Sequence, residues 1–216
     1  MNCRGHKKRL QIAENYDIKP VAHIKLLKGQ TKHSDAEAVI KNEYYIFTAK
    51  SKVDEINKTI TCGMGAARDF LNILNIPGLP LFNPLYEEDD KKAAAKSEST
   101  TNEDINKDID NWNDTAKQLY NAIMWLIIAW DAKPDTPLYK FKDEIIEHKS
   151  SNPSNLEIKR VNTVITNGGN GQTMTEIVNK FRTNNKLNDN LCNFSLLSKR
   201  MAKITDKNGN EIKSFF

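Results

Sequence analysis

The stretch that decides the fold reads EYYIFTAKSKVDEINKTITCGMGAARDFLNIL and spans residues 43–74. Its aromatic and β-branched segment Tyr44–Ala49 favours a pleated, half-buried strand. Thr59–Cys62 alternates apolar and polar residues and predicts a short return strand. Apolar residues then recur at helical spacing over residues 66–74, which indicates a helix with one buried face. We therefore expect two strands that lead through a glycine turn into one packed helix.

The glycine turn, Gly63-Met64-Gly65, is a candidate anion-binding site. We expect its glycines to use left-handed backbone angles, which glycine adopts cheaply. The first N–H groups of the next helix lack partners within the helix and attract anions together with the helix dipole. Arg68 can add a bidentate contact to phosphate. The simpler interpretation is a tight corner, because the dinucleotide fingerprint requires a further glycine at the position of Arg68.

Charge is distributed unevenly along the chain. Residues 1–33 carry eight lysines and arginines against two acidic residues, whereas residues 86–110 carry four against nine. A basic head can contact phosphate without sequence specificity, and Lys7, Lys8 and Arg9 are its candidate contacts. The alternative is a solvated, partly disordered start. Only six of the 32 basic residues are arginine, so dedicated base readout is not expected.

The segments before the hairpin are less regular. We expect Met1–Tyr16 to be a frayed or weakly helical lead and Val21–Leu27 to be a strand. Ser34 and Glu37 have the spacing of a capping box, which predicts a short helix over Asp35–Lys41.

The apolar segment Leu79–Leu85 contains two prolines and follows the predicted helix. A segment with this composition is hardly helical. We expect it to pack across the first sheet or its helix, and the alternative is a docking arm for a partner protein.

Beyond residue 85 the chain changes character. Residues 86–112 are acidic and poor in apolar side chains, so we expect a mobile linker. Thr115–Trp130 is apolar on almost every side, which is typical of a central helix. Further helices are predicted over Leu138–His148, after an Asn152 cap with Pro153 in the first turn, after a Thr173–Glu176 capping box, and over Phe194–Ile204. Asn208-Gly209 predicts a type I′ hairpin.

Three local patterns suggest enzymes or a further binding loop. Pro134-Asp135 and Glu157-Ile158-Lys159 match the signature of metal-dependent nucleases, whose two carboxylates hold Mg²⁺. The triplet lies on a strand in those nucleases and in a predicted helix here, so we interpret the match as chance. Cys62 lies near a helix start, where a cysteine can become a reactive nucleophile. We favour the alternative that it is an unreactive buried cysteine. The glycine-rich loop Asn167–Thr173 is a second anion candidate or a simple helix connection.

Composition bounds the remaining possibilities. No apolar run approaches the ~20 residues of a membrane helix, and no secretory signal is expected at the N-terminus. Three distant cysteines argue against a disulfide framework and fit a reducing, cytoplasmic location. The scattered histidines and cysteines have no metal-site spacing. Heavy use of lysine, asparagine and isoleucine suggests an AT-rich, bacterial gene.

The sequence thus predicts an α+β protein: a small antiparallel sheet with one packed helix, followed by a mainly helical C-terminal half. We expect an α+β part at residues 1–85, the acidic linker at 86–112, and a helical part ending in a hairpin at 113–216. The favoured function is a phosphate- or nucleic-acid-backbone-binding module that uses Gly63, Gly65, Arg68, Lys7, Lys8 and Arg9. The alternatives are a protein-interaction module of the inhibitor or immunity type and, third, a metal-dependent nuclease. The expected partners are nucleic acid or protein and not a membrane; the cofactor and any enzymatic activity are left open.

Overall fold

A computed structural model describes residues 1–86 and 111–216 of the chain. Contacts divide the chain into two compact units, Met1–Leu85 (unit 1) and Tyr86–Phe216 (unit 2). The predicted linker at residues 86–112 lies almost entirely outside the described residues, so its mobility stays a prediction. Within the described ranges, no helix has both the length and the apolar character needed to cross a membrane.

Unit 1 contains the predicted small antiparallel sheet and packed helix, together with a second helix at its N-terminus. Its elements are α1 (His6–Asn15), β1 (Tyr16–Lys25), β2 (Lys32–His33), β3 (Val39–Ile40), β4 (Glu43–Ser51), β5 (Asn57–Gly63) and α2 (Met64–Leu74). The main sheet has the order β1-β4-β5, and β2 pairs with β3 in a separate two-stranded ribbon. The hairpin and helix expected over residues 43–74 are thereby confirmed.

The core of unit 1 forms around the central strand β4. Tyr45 and Phe47 are almost fully buried, and their rings stack at a centroid distance of 5.6 Å. Phe70 of α2 meets Phe47 at 5.4 Å, which places one face of α2 against the sheet. The edge strand β1 contains a bulge between Pro20 and Ala22, because proline cannot donate a hydrogen bond to the ladder.

The N-terminal lead differs from the expectation of a frayed segment. It forms the helix α1, which leads directly into β1, and both Cys3 and Ile12 are buried in the core around Phe47. The ammonium group of Met1 bonds the carboxylate of Asp35 at 2.8 Å. These contacts order the segment, although its own sequence has little helical amphipathicity.

The prediction of a helix over Asp35–Lys41 is also wrong. Residues 34–38 form a turn between β2 and β3, in which the Ser34 hydroxyl accepts the N–H of Ala36 and Glu37 adopts a φ of 60°. The backbone N–H of Asp35 bonds the carbonyl of Thr61 at 2.8 Å, and the Asp35 carboxylate accepts the N–H of Thr61 at 2.7 Å. Pairing with β5 therefore overrides the local capping pattern.

The segment Leu79–Leu85 packs on the sheet of unit 1. Phe82 is 5% exposed, donates its N–H to the carbonyl of His23 at 2.9 Å, and accepts the N–H of Lys25 at 3.0 Å. The hydroxyl of Tyr45 donates to the carbonyl of Leu79 at 3.1 Å. The segment thus extends the β1 edge in parallel, and its main aromatic anchor is not free for a partner protein.

Unit 2 is helical in its described residues. Its elements are α3 (Asp114–Ala129), α4 (Pro137–Glu147), α5 (Asn155–Gly168), α6 (Met174–Arg182), a short 3₁₀ helix (Asp189–Leu191) and α7 (Ser195–Met201). The apolar helix α3 contacts each of the other four α-helices, as expected of a central helix.

Two local details of unit 2 correct the sequence predictions. The cap of α5 is Ser154 and not Asn152, because Ser154 and Glu157 form a reciprocal capping box. Near the C-terminus, Gly209 has a positive φ but Asn208 does not, so the turn is not of type I′. The side chain of Asp206 accepts the N–H groups of Asn208 and Asn210 and determines the turn instead. The capping box of Thr173 and Glu176 is present as predicted.

The C-terminal tail is fastened by Asn162, which is 2% exposed on α5. Its amide donates to the carbonyl of Lys213 at 3.0 Å and accepts the N–H of Phe215 at 2.7 Å. Replacing Asn162 leaves both backbone groups without these partners at a partly buried site.

We predict that Asn162→Ala lowers the free energy of unfolding of unit 2 by about 2–4 kcal/mol, the cost of buried groups left unpaired. The exposed neighbour Thr163→Ala is the control and should change it by less than about 0.5 kcal/mol. All three tryptophans lie beyond residue 85. Urea unfolding followed by tryptophan fluorescence therefore reports on unit 2, and equal midpoints for the two variants would contradict the prediction.

Candidate anion-binding surface

The N-terminal end of α2 follows β5 with no loop between them. Gly63 has φ −75° and ψ 170°, and neither Gly63 nor Gly65 has a positive φ. The prediction of left-handed backbone angles at Gly63 and Gly65 is therefore wrong. No side chain caps the helix at Gly63, and the space beside the exposed Gly65 is open. The first N–H groups of α2 are thus not covered by a capping side chain.

The two predicted arginines occupy different environments. Arg68 is exposed and forms no ion pair with the described residues of the chain. Arg9 is instead held inside unit 1: its Nε donates to Asp69 of α2, and its guanidinium also donates to the carbonyl of Cys3 at 2.9 Å. Arg9 therefore connects α1 to α2, while Arg68 remains available to a ligand.

His6 completes the cluster around Asp69. Its Nδ1 lies 2.9 Å and 3.0 Å from the two carboxylate oxygens. Burial alone would raise the pKa of Asp69, but hydrogen bonds from Arg9 and His6 outweigh burial and lower that pKa. The sequence analysis did not identify this cluster, because Asp69 lies 60 or more residues from His6 and Arg9.

Lys7 and Lys8 are exposed on α1, and neither bonds another described residue of the chain. Lys8 borders an open groove with a volume of about 530 Å³. Its lining includes Lys8, Gln11, Asn15, Tyr16, Ser51 and Val53. No residue of α2 lines the groove, so the structure does not bring the six predicted contacts into one cavity. The sequence signal that was missed is the polar stripe at positions 8, 11 and 15 of α1.

Net charge distinguishes the two units. Residues 1–85 contain thirteen lysines and arginines against eight aspartates and glutamates, a net charge of +5. Residues 86–216 contain nineteen against twenty, a net charge of −1. The basic excess of the chain therefore lies in unit 1.

The second glycine-rich loop, Asn167–Thr173, is less suited to an anion. The hydroxyl of Thr173 accepts the N–H of Glu176, and the Glu176 carboxylate accepts the N–H of Thr173 at 2.7 Å. The N–H of Met174 bonds the carbonyl of Phe215 at 2.7 Å. Acceptors from the chain itself already use these donors at the start of α6.

The nuclease pattern does not form a carboxylate cluster in the described residues. Glu157 lies in α5, as predicted, and its carboxylate bonds the N–H and the hydroxyl of Ser154 at 2.7 Å and 2.6 Å. Within residues 1–86 and 111–216, no group of three or more His, Cys, Asp or Glu side chains could hold a metal ion.

The cysteines are poor nucleophiles in the folded protein. Burial raises the pKa of the Cys62 thiol, with further contributions from Cys3 and Asp35. Burial likewise raises the pKa of Cys3 and of Cys192 to about 11. Although Cys62 lies next to the start of α2, burial dominates over the helix dipole.

We predict slow alkylation of the native thiols at pH 7.5. A thiol pKa raised from 9.0 to about 11 lowers the thiolate fraction of Cys3 on the order of 100-fold, and the buried Cys62 is further protected by lack of access. Iodoacetamide labelling followed by mass spectrometry, with urea-unfolded protein as the control, measures both rates. Native Cys62 labelled as fast as the unfolded form would contradict the prediction.

We predict that Asp69→Asn destabilises unit 1 at neutral pH by about 1–2 kcal/mol, because Arg9 loses its charged partner in a largely buried place. A carboxylate with a lowered folded pKa stabilises fully above its unfolded pKa, about 3.9. The difference from wild type should thus be complete above about pH 4 and decrease as the pH falls through the lower folded pKa of Asp69.

Urea unfolding of unit 1, followed by NMR signals of its own residues at several pH values, tests this prediction. The control is Glu14→Gln on the exposed side of α1. A stability difference between Asp69→Asn and wild type that does not change between pH 6 and pH 2 would contradict it.

Comparison of the chain with known proteins finds no match among protein-family models, curated proteins or solved structures. The likeness of this chain to other proteins therefore contributes no function and no site residue. The geometry and the charge of the described residues carry the proposals that follow.

Proposed function

We propose that unit 1 binds the phosphate backbone of a nucleic acid. The observation that carries the proposal is the net charge of +5 on residues 1–85, together with the exposed, unpaired lysines of α1. Polyanion binding depends on such charges, because each neutralised phosphate releases condensed counterions. A cytoplasmic location, where nucleic acid is abundant, is part of this proposal.

The candidate residues have different roles. Lys7 and Lys8 supply point charges that contact phosphate without reading the bases. Arg68 can form a bidentate contact near the start of α2, where Gly63 and Gly65 leave the backbone N–H groups accessible. Arg9 acts indirectly, because its bond to Asp69 holds α1 in place.

The composition of the surface predicts weak sequence preference. Lysines outnumber arginines among the exposed basic residues of unit 1, and lysine lacks the planar fork that reads guanine in a groove. We therefore expect similar affinity for oligonucleotides of unrelated sequence and a strong dependence of affinity on salt.

Fluorescence anisotropy with labelled oligonucleotides of random sequence, at 50 and 200 mM salt, tests the proposal. We predict that Lys7→Glu with Lys8→Glu weakens binding at 50 mM salt by about tenfold or more and reduces the salt slope by about 2. Arg68→Ala should weaken binding by a smaller factor and reduce the slope by about 1.

The matched control is Lys199→Glu with Lys203→Glu, which changes the net charge equally on exposed positions of unit 2. This control should retain at least half of the wild-type affinity. Equal loss in both double variants would indicate a response to total charge and not to α1. No binding of the wild type at 50 mM salt would refute the proposed function.

A further inference from the structure

The groove beside α1 has one wall made by a polar stripe of that helix. Lys8, Gln11 and Asn15 lie at positions i, i+3 and i+7, so they share a face of α1, and all three are exposed. The buried Ile12 lies between them at the base of the groove. The groove therefore has a cationic position at Lys8 and an amide pair along the same helix.

The remaining lining comes from Met1, from the junction of α1 with β1, from the end of β4 and from Val53 just after it. Tyr16 contributes an aromatic ring, and its hydroxyl accepts a hydrogen bond from Lys58 at 3.0 Å. Ser51 is 9% exposed, and its hydroxyl oxygen accepts the N–H groups of Val53 and Asp54 at 3.3 Å and 3.4 Å. The Ser51 hydroxyl also donates to the carboxylate of Asp54, which lowers the pKa of Asp54, so Ser51 contributes to the wall of the groove and is not a free donor.

The chemistry of the lining suits a ligand that is both anionic and rich in polar edges. No carboxylate is among the described residues that line the groove. The carboxylates bonded to its lining are those of Asp35, which pairs with the ammonium of Met1, and Asp54, which accepts from Ser51. The side chain of Asn15 donates one hydrogen to the carbonyl of Gln11 at 2.6 Å and retains an acceptor oxygen. The Gln11 and Asn15 amides thus offer donors and acceptors, as the edge of a nucleobase requires.

We infer that this groove binds an unpaired nucleotide of a single-stranded nucleic acid, an inference that rests on the proposed function. Lys8 contacts the phosphate, Gln11 and Asn15 bond the base edge, and Tyr16 with the 89% exposed Val53 provides the apolar contact for the base. Single strands present splayed bases to such sites, and contact of each base with an aromatic side chain adds to the electrostatic attraction.

Size and accessibility favour a single strand over a duplex. Cavities of roughly 300–1,000 Å³ accommodate small ligands, and a groove of about 530 Å³ has the room for one nucleotide. In a duplex the base edges are paired and stacked, so inserting one base requires unstacking that costs a few kcal/mol. The groove should therefore discriminate by strandedness, whereas a purely electrostatic surface follows the phosphate density, which is higher in a duplex.

The test compares fluorescence anisotropy with a labelled 12-nucleotide single strand of mixed sequence and with the corresponding duplex, at 100 mM salt. We expect the wild type to bind the single strand at least fivefold more tightly than the duplex. Gln11→Ala with Asn15→Ala should abolish this preference by weakening single-strand binding about tenfold, with the salt slope unchanged.

Two controls separate the groove from general effects. Asn184→Ala with Asn190→Ala removes two exposed amides from unit 2 and should leave the preference intact. Lys7→Ala and Lys8→Ala each remove one charge from α1, but only Lys8 borders the groove. Lys8→Ala should therefore weaken single-strand binding more than Lys7→Ala does. Circular dichroism of each variant establishes that the fold is retained, and Gln11→Met, which keeps the length of the side chain without adding a charge, replaces any variant that unfolds.

The outcomes distinguish the inference from the proposed function. Equal binding of single strand and duplex, unaffected by the amide substitutions but reduced by Lys7→Glu with Lys8→Glu, would overturn the groove assignment and leave backbone binding by α1 intact. No binding of either oligonucleotide at any salt concentration would refute both. Loss of the single-strand preference in the groove variants alone would support the assignment.

Discussion

The ion pair between Arg9 and Asp69 is the interaction on which the proposed binding surface depends. α1 has ten residues and buries only Ile12, and helices shorter than about 12–15 residues are marginal in water without tertiary support. The Arg9 side chain, 13% exposed, ties the helix to α2, while the ammonium of Met1 and the buried Cys3 fix the residues before it. Because of these contacts, Lys7 and the polar stripe of α1 lie on a defined surface.

The parts of the fold that could be predicted from sequence are those whose determinants are local. The hairpin of β4 and β5, the helix α2 and the helices of unit 2 follow from alternation, helical periodicity and turn residues within short windows. The parts that were wrong depend on distant partners. Ser34 and Glu37 have the spacing of a capping box, yet Asp35 pairs with Thr61 of β5, 26 residues away, and forms a turn. A local sequence pattern does not show that Asp35 will form hydrogen bonds with β5.

The same distinction applies to the candidate site. Lys7, Lys8 and Arg68 are exposed, as lysine and arginine usually are, and their role as anion contacts stays a prediction. Arg9 could not be separated from its neighbours, because its partner Asp69 lies 60 residues further along the chain. The groove was missed for the related reason that Ser51 and Val53 reach α1 only through the pairing of β4 with β1. The polar stripe of α1 is the one part of the groove wall that a local sequence pattern could have indicated.

The pairing of Phe82 with β1 bears on how this protein behaves at high concentration. An exposed edge strand presents unpaired N–H and carbonyl groups to which another chain can add a strand, a common route to aggregation. Phe82 occupies part of one edge of the three-stranded sheet, and Asp35 bonds the other edge at Thr61. Two short pieces of the chain thus shield a sheet that is otherwise small and flanked by aromatic residues. A destabilised form that releases residues 79–85 would uncover the β1 edge and a large phenylalanine together, so release of this segment is a route by which unit 1 can self-associate.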